Sequence, residues 1–238
     1  MRHRPQGITR ALRGLAAALL LAALSRAAVA EQTLFLGGTQ VSPVGTSSYI
    51  GLLQPVLGGR LGRGWFVRPW LSYSTYRYRA GSKIVHATAP GGSLGAGYAW
   101  SDHSGSRSVS IAPGYQNTAL HPPDPGNRAS GGRAFLLVQG QWFRDFTTHW
   151  KGDVIANYAL GTQDYWSRLR LGYKIDGRTT VGPAFVYQGG TSYTAWQTGL
   201  YVDWSVTRRW QLGLAGGYLK NSGISGQGYV GLNLGLLY

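Results

Sequence analysis

Segment 227–238 alternates residue by residue. Val230, Leu232, Leu234, Leu236 and Tyr238 fall on one face, and Gln227, Tyr229, Gly231, Asn233 and Gly235 on the other. A period of two is the signature of a strand, and an apolar face opposed to a small or polar one is the wall of a membrane barrel. The split recurs upstream. On 193–204, Trp196, Leu200, Val202 and Trp204 oppose Gln197, Gly199, Tyr201 and Asp203; on 165–175, Leu169, Leu171 and Tyr173 oppose Trp166, Arg168 and Arg170. Segments 149–158 and 209–219 repeat it. A soluble sandwich would also alternate, but its outer faces would be wet and would carry Lys, Glu, Thr and Ser. No window sustains a helical period, and nothing after Ala30 approaches the roughly 20 apolar residues of a transmembrane helix.

Further strands are predicted at about 32–39, 47–57, 64–79, 84–100, 106–119, 134–143 and 179–188. The expected fold is therefore all-β, a transmembrane antiparallel up-and-down barrel of about twelve strands. Pro55, Pro69, Pro113 and Pro183 lie inside these segments and predict a bulge or a strand end at each, because proline cannot donate to the ladder. With an even strand count both ends lie in the periplasm. The inner turns then come out short (101–105, 144–147, 175–178, 205–208), and the longest connection, 120–133, falls outside.

The N-terminal segment reads as a cleavable secretion signal, residues 1–30, ahead of a barrel at 31–238. Arg2, Arg4, Arg10 and Arg13 precede the apolar run Leu15–Leu24, and Ala28-Val29-Ala30 gives a small-x-small site with Glu31 next. The chain has no cysteine, so neither disulfides nor thiolate metal sites are expected. Charged residues are 13% and Gly, Trp and Tyr number 37, 9 and 15, a balance that suits lipid contact, aromatic girdles and a crowded lumen. Removing the five arginines of segment 1–30 from the formal charge of +15 leaves +10. In an exported chain with scattered cations this points to anionic headgroups or a positive lumen, and not to nucleic acid.

Three stretches carry a resemblance to a known family. They are Ser48-Tyr49-Ile50-Gly51 with the run Trp70–Tyr78, the segment Asp164–Tyr173, and Val181-Gly182-Pro183 through Tyr193 to Trp196. On these residues the chain resembles the BcsS family of cellulose biosynthesis-associated outer-membrane barrels of alphaproteobacteria. Pro183 stands where that family often has an acidic residue, and the 120–133 connection has no counterpart in it. The resemblance implies a barrel in the outer membrane of a Gram-negative bacterium that serves cellulose (β-glucan) biosynthesis or export as a structural or interaction component. The alternative left open is a passive porin-like channel for glucan or small solutes. The C-terminal aromatic Tyr238 resembles the signal that such barrels present to the barrel-assembly machinery. Outer-membrane lipid is the expected surround, and cellulose secretion components or glucan the expected partners.

No catalytic, cofactor or metal site is expected. His86, His103, His121 and His149 are dispersed, no serine lies in a G-x-S-x-G context, and Glu31 is the one glutamate, whereas hydrolases need converging groups. The inward face is more informative. Aligning 149–158 with 165–175 about a turn near Gly161-Thr162 puts Asp153 opposite Arg170 and Ile155 opposite Arg168. Placing Gln139 on the other side of Asp153 predicts a lumen layer Gln139–Asp153–Arg170. Asp203 opposite Arg209 is a second predicted pair, and Trp166, Tyr201 and Tyr229 also point inward. Such aromatics suit either plugging of the lumen or stacking on sugars.

Overall fold

The computed structural model describes residues 32–191, 193–222 and 225–238; the predicted signal segment and its Ala30–Glu31 site lie outside them. Twelve strands follow in order: β1 (Leu34–Ser42), β2 (Gly45–Pro55), β3 (Gly64–Ala80), β4 (Lys83–Ser101), β5 (Gly105–His121), β6 (Gly131–Asp145), β7 (Trp150–Leu160), β8 (Asp164–Lys174), β9 (Thr179–Gly189), β10 (Thr194–Ser205), β11 (Trp210–Asn221) and β12 (Gln227–Leu237). Each pairs antiparallel with its sequence neighbours, and β1 closes on β12. The seam is tied at its end by Thr33 N to Tyr238 O at 2.8 Å and Tyr238 N to Thr33 O at 2.9 Å. Closure leaves no edge, which is what lets a sheet cross lipid.

The register is uninterrupted around the ring. Followed strand by strand it returns to β1 offset by about 14 residues, which for twelve strands is a tilt of about 40°. The prolines explain how this is possible. Pro55 ends its strand, as expected. Pro69, Pro113 and Pro183 produce neither bulge nor strand end. Each instead opens a two-residue gap in one ladder, toward β2, β4 and β8 respectively, with the register equal on both sides of the gap. The opposite ladder of each strand is continuous. A missing N–H removes a bond on one side only, and neighbouring pairs hold the alignment.

Alternation sorts the side chains. Ile50, Leu200 and Val230 are 59, 68 and 66% exposed on the outer wall, which is bearable only if lipid covers them. Trp65, Trp100, Trp142, Trp150, Trp204 and Trp210 all project outward at the end that carries the starts of β1, β3 and β7. Tyr73, Tyr115, Tyr158, Tyr187 and Tyr218 project outward toward the other end. These are the two girdles of a membrane barrel. Trp150 and Tyr158 on β7 stand about 20 Å apart along the membrane normal. The longest connection, residues 122–130, lies at the tyrosine end, which makes the tryptophan end the periplasmic one, and we call it the inner end. That connection is shorter than the 120–133 expected, because β5 runs on to His121 and β6 begins at Gly131. It is fastened down: Tyr78 Oη donates to Asp124 Oδ2 at 2.7 Å and Asn127 Nδ2 donates to Tyr78 Oη at 2.7 Å.

Candidate functional site in the lumen

The packed interior of this molecule is its lumen, and a charged network occupies its middle. Gly161 (φ 101°) and Gln163 (φ 61°) close the β7–β8 hairpin, and from that turn Asp153 falls opposite Arg170 and Ile155 opposite Arg168. Arg170 Nε donates to Asp153 Oδ2 at 2.6 Å, and its Nη1 to Asp203 Oδ2 on β10 at 3.1 Å. Arg168 Nη2 donates to Asp153 Oδ1 at 3.1 Å. Reaching Asp203 means passing over β9, where Ala184 lies opposite Arg170 and Gly182 opposite Tyr201. The Tyr201 ring lies under the Arg170 guanidinium at 4.4 Å. Gly172 makes room for it, since a Cβ there would collide with Tyr201 Oη and Thr180.

The opposite wall contributes aromatics. Tyr49 stacks on Trp70 with centroids 4.7 Å apart and planes at 11°. Its hydroxyl donates to Asn233 Oδ1 at 2.9 Å. The Arg68 guanidinium lies over the Trp70 ring at 4.4 Å. Arg68 is only 7% exposed, and its Nη1 has no hydrogen-bond partner among the described residues. β2 and β8 are six strands apart in the ring of twelve, yet Tyr49 is in electrostatic reach of Arg168, Arg170 and Asp203.

Just outside this layer the lumen widens into a vestibule of about 220 Å³. Gln116, Asn157, Asp164, Trp166, Gln188 and Tyr193 line it. Thr162 Oγ1 is buried there without a partner among the described residues. Tyr193, 39% exposed at the rim, presents its phenol as a neutral donor. An aromatic face ringed by amides and hydroxyls is a surface that sugar hydroxyls and ring faces can satisfy together.

The predicted residues divide. Asp153, Arg168, Arg170, Tyr201 and Asp203 meet in one network, Trp166 stands in the vestibule with Arg168 at 5.9 Å, and Tyr229 is buried nearer β11. The layer with Gln139 does not form: Gln139 faces Asn157, and Phe143 faces Asp153. The Asp203–Arg209 pair does not form either, since Asp203 faces Gly213 and turns to Arg170. Both corrections have one cause. In the turn Phe146–His149, Thr147 Oγ1 accepts from the amides of His149 and Trp150 at 3.2 and 3.0 Å; in 206–209, Thr207 Oγ1 accepts from those of Arg209 and Trp210 at 3.1 and 3.0 Å. These capped turns begin two residues later and one residue later than the expected 144–147 and 205–208. Each shift moves the partner along the opposing strand. A threonine three residues ahead of a tryptophan, in both places, was the available signal. Tyr49, Trp70, Arg68 and Asn233 were not singled out for the site, although Asn233 alternates inward with Tyr229. Among the described residues no group of three or more His, Cys, Asp or Glu is placed to hold a metal.

Comparison with known proteins agrees with this architecture. An outer-membrane channel from Pseudomonas putida F1 superposes with a TM-score of 0.57 at 14% identity, covering 88% of this chain and 96% of that one. The β-domain of the Bordetella autotransporter Brka gives 0.51 at 13%, with 87 and 98% covered. At these identities the likeness is one of fold. No curated protein matches the sequence. The family model described as cellulose biosynthesis protein BcsS matches residues 34–237. Fold and family together place the chain in the outer membrane of a Gram-negative cell. It belongs to the BcsS family of cellulose biosynthesis proteins.

Proposed function

We propose that this barrel serves cellulose biosynthesis as a non-enzymatic accessory component, closed at mid-lumen, that holds glucan at its outer mouth. The observation that carries this reading is the layer itself. Arg170 is fixed by Asp153 on one side and Asp203 on the other, with Tyr201 beneath it and the Tyr49–Trp70 stack approaching from the far wall. A buried cation satisfied by two carboxylates and a ring face is costly to move, so the layer acts as a floor and not as a gate. Above it, Trp166 and the orphaned Thr162 hydroxyl offer a stacking face and an unmet hydrogen bond. Tyr238, an exposed aromatic at the end of the closing strand, suits recognition by the assembly machinery that inserts such barrels.

The test is conductance across planar bilayers. The purified barrel is expected to be silent. Stable openings would overturn the closed reading and favour a passive channel for glucan or small solutes.

A further inference from the structure

The outer wall carries a feature that the lumen does not explain. Near the inner end a groove of about 760 Å³ runs over β4 to β7, between Trp100 and Trp142 at one end and over Val109, Gly140 and Ala156 along its floor. A Cβ on Gly140 would meet nothing within 4 Å. Across the ladders, Trp100 is the direct partner of Arg107, and Arg107 of Trp142. The inner girdle therefore contains a Trp–Arg–Trp row. Arg144 lies beside it, opposite Gly105 on the same outward face.

Both arginines are exposed, and neither makes a side-chain hydrogen bond or ion pair among the described residues. The acidic residue at the rim is engaged elsewhere: Asp102 Oδ1 accepts from Ser104 N and Ser104 Oγ, both at 2.8 Å. At the level of the tryptophan girdle these cations lie at headgroup depth. The groove continues from there into the apolar band, where Val109 and Val154 face lipid.

We propose that this groove is a binding site for one anionic phospholipid of the inner leaflet. Its phosphate is held by Arg107 and Arg144 and flanked by Trp100 and Trp142, and an acyl chain lies along Val109, Gly140 and Ala156. Guanidinium binds a phosphate by paired hydrogen bonds, and net charge selects the headgroup, because a zwitterionic lipid brings a cation of its own against the two arginines. The small floor residues admit the chain.

The experiment is native mass spectrometry of the folded barrel, released from detergent after incubation with equimolar phosphatidylglycerol and phosphatidylcholine of identical chains. With each basic residue contributing about a fivefold preference near an anionic surface, two give roughly thirtyfold in favour of the anionic lipid. R107Q/R144Q is expected to bring the ratio close to one. G140L, which fills the groove and leaves the charge intact, is expected to reduce retention of both lipids. R77Q/R79Q, exposed cations at the outer end of β3, is the control and is expected to change neither. Heat-modifiable migration on gels confirms that each variant is folded. Equal retention of the two lipids by the wild-type barrel, or the same loss from R77Q/R79Q as from R107Q/R144Q, would overturn the proposal.

Discussion

Arg170 and Asp153 face each other directly across the β7–β8 ladder, with Nε donating to Oδ2 at 2.6 Å. The pair is not isolated, because the same carboxylate also accepts from Arg168 and the same guanidinium also reaches Asp203. Removing one partner of such a pair strands the other's charge. Asp153→Asn is therefore expected to cost about 3–5 kcal/mol of folding stability. D153N/R170Q, which removes both charges, should recover part of that loss. Urea unfolding in lipid vesicles, followed by gel mobility, measures both. An unchanged midpoint for D153N would be incompatible with the ion pair described.

The inner turns make a separate prediction. Thr147 and Thr207 each hold two amides, so Thr→Ala at either is expected to cost about 1 kcal/mol, and Thr→Ser very little. Asp176 fills the same role in the β8–β9 turn, its Oδ1 accepting from Arg178 N and Thr179 N at 2.7 and 2.5 Å. Those amides hold its carboxyl below the usual carboxylate range. A depressed folded-state value means that its contribution is fully present above the unfolded pKa of about 3.9 and is lost as pH falls through the folded one. Stability measured between pH 5 and 2 should fall less steeply for Asp176→Asn than for the wild type.

How much of this was legible follows from what sets register. Strand identity came from alternation, which lipid on one side and a crowded lumen on the other enforce along the whole wall; the match is closest on β12, where Leu and Gly alternate cleanly. The Asp153–Arg170 pairing was legible because its hairpin is closed by a three-residue connection containing Gly161. The partners of Gln139 and Asp203 were misplaced because both depend on inner turns whose length is fixed by a threonine hydroxyl and not by glycine or proline. The Tyr49–Trp70 stack joins β2 to β3, where Pro69 interrupts the ladder and obscures the phase of alternation. Arg170 reaching Asp203 depends on the small residues of an intervening strand, a relation that no pairwise alignment of hairpins contains.

The vestibule reading is tested in the native host. In a strain deleted for this protein and complemented with Trp166→Ala, the cellulose retained at the cell surface should fall toward that of the deletion, with the barrel still folded in the outer membrane. Loss of one stacking platform is worth about 0.5–1.5 kcal/mol, or up to about tenfold in retention of a single site. Thr162→Val, nearly isosteric and without the unpaired hydroxyl, should give a smaller loss. Surface cellulose at wild-type level in both variants would exclude the vestibule as the holding site, while a phenotype confined to the full deletion would keep the accessory role and move the contact elsewhere.

The closed floor depends on aromatic bulk as well as on charge, and the two can be separated. Tyr49→Ala with Tyr201→Ala removes rings from opposite walls and leaves Asp153, Asp203, Arg168 and Arg170 in place. If the rings complete the floor, this double variant should open steadily in planar bilayers under conditions in which the wild type is silent. The current should be carried mainly by anions. Arg68 is a buried guanidinium with a free Nη1 and no carboxylate partner among the described residues, so the opened path passes a cation that nothing neutralises. Reversal potentials in asymmetric potassium chloride read this preference directly, and Arg68→Gln in the same background should bring it close to zero. Silence from the Tyr49→Ala, Tyr201→Ala barrel would mean that the ion-paired arginines alone close the lumen, and the floor would then be assigned to charge and not to the rings.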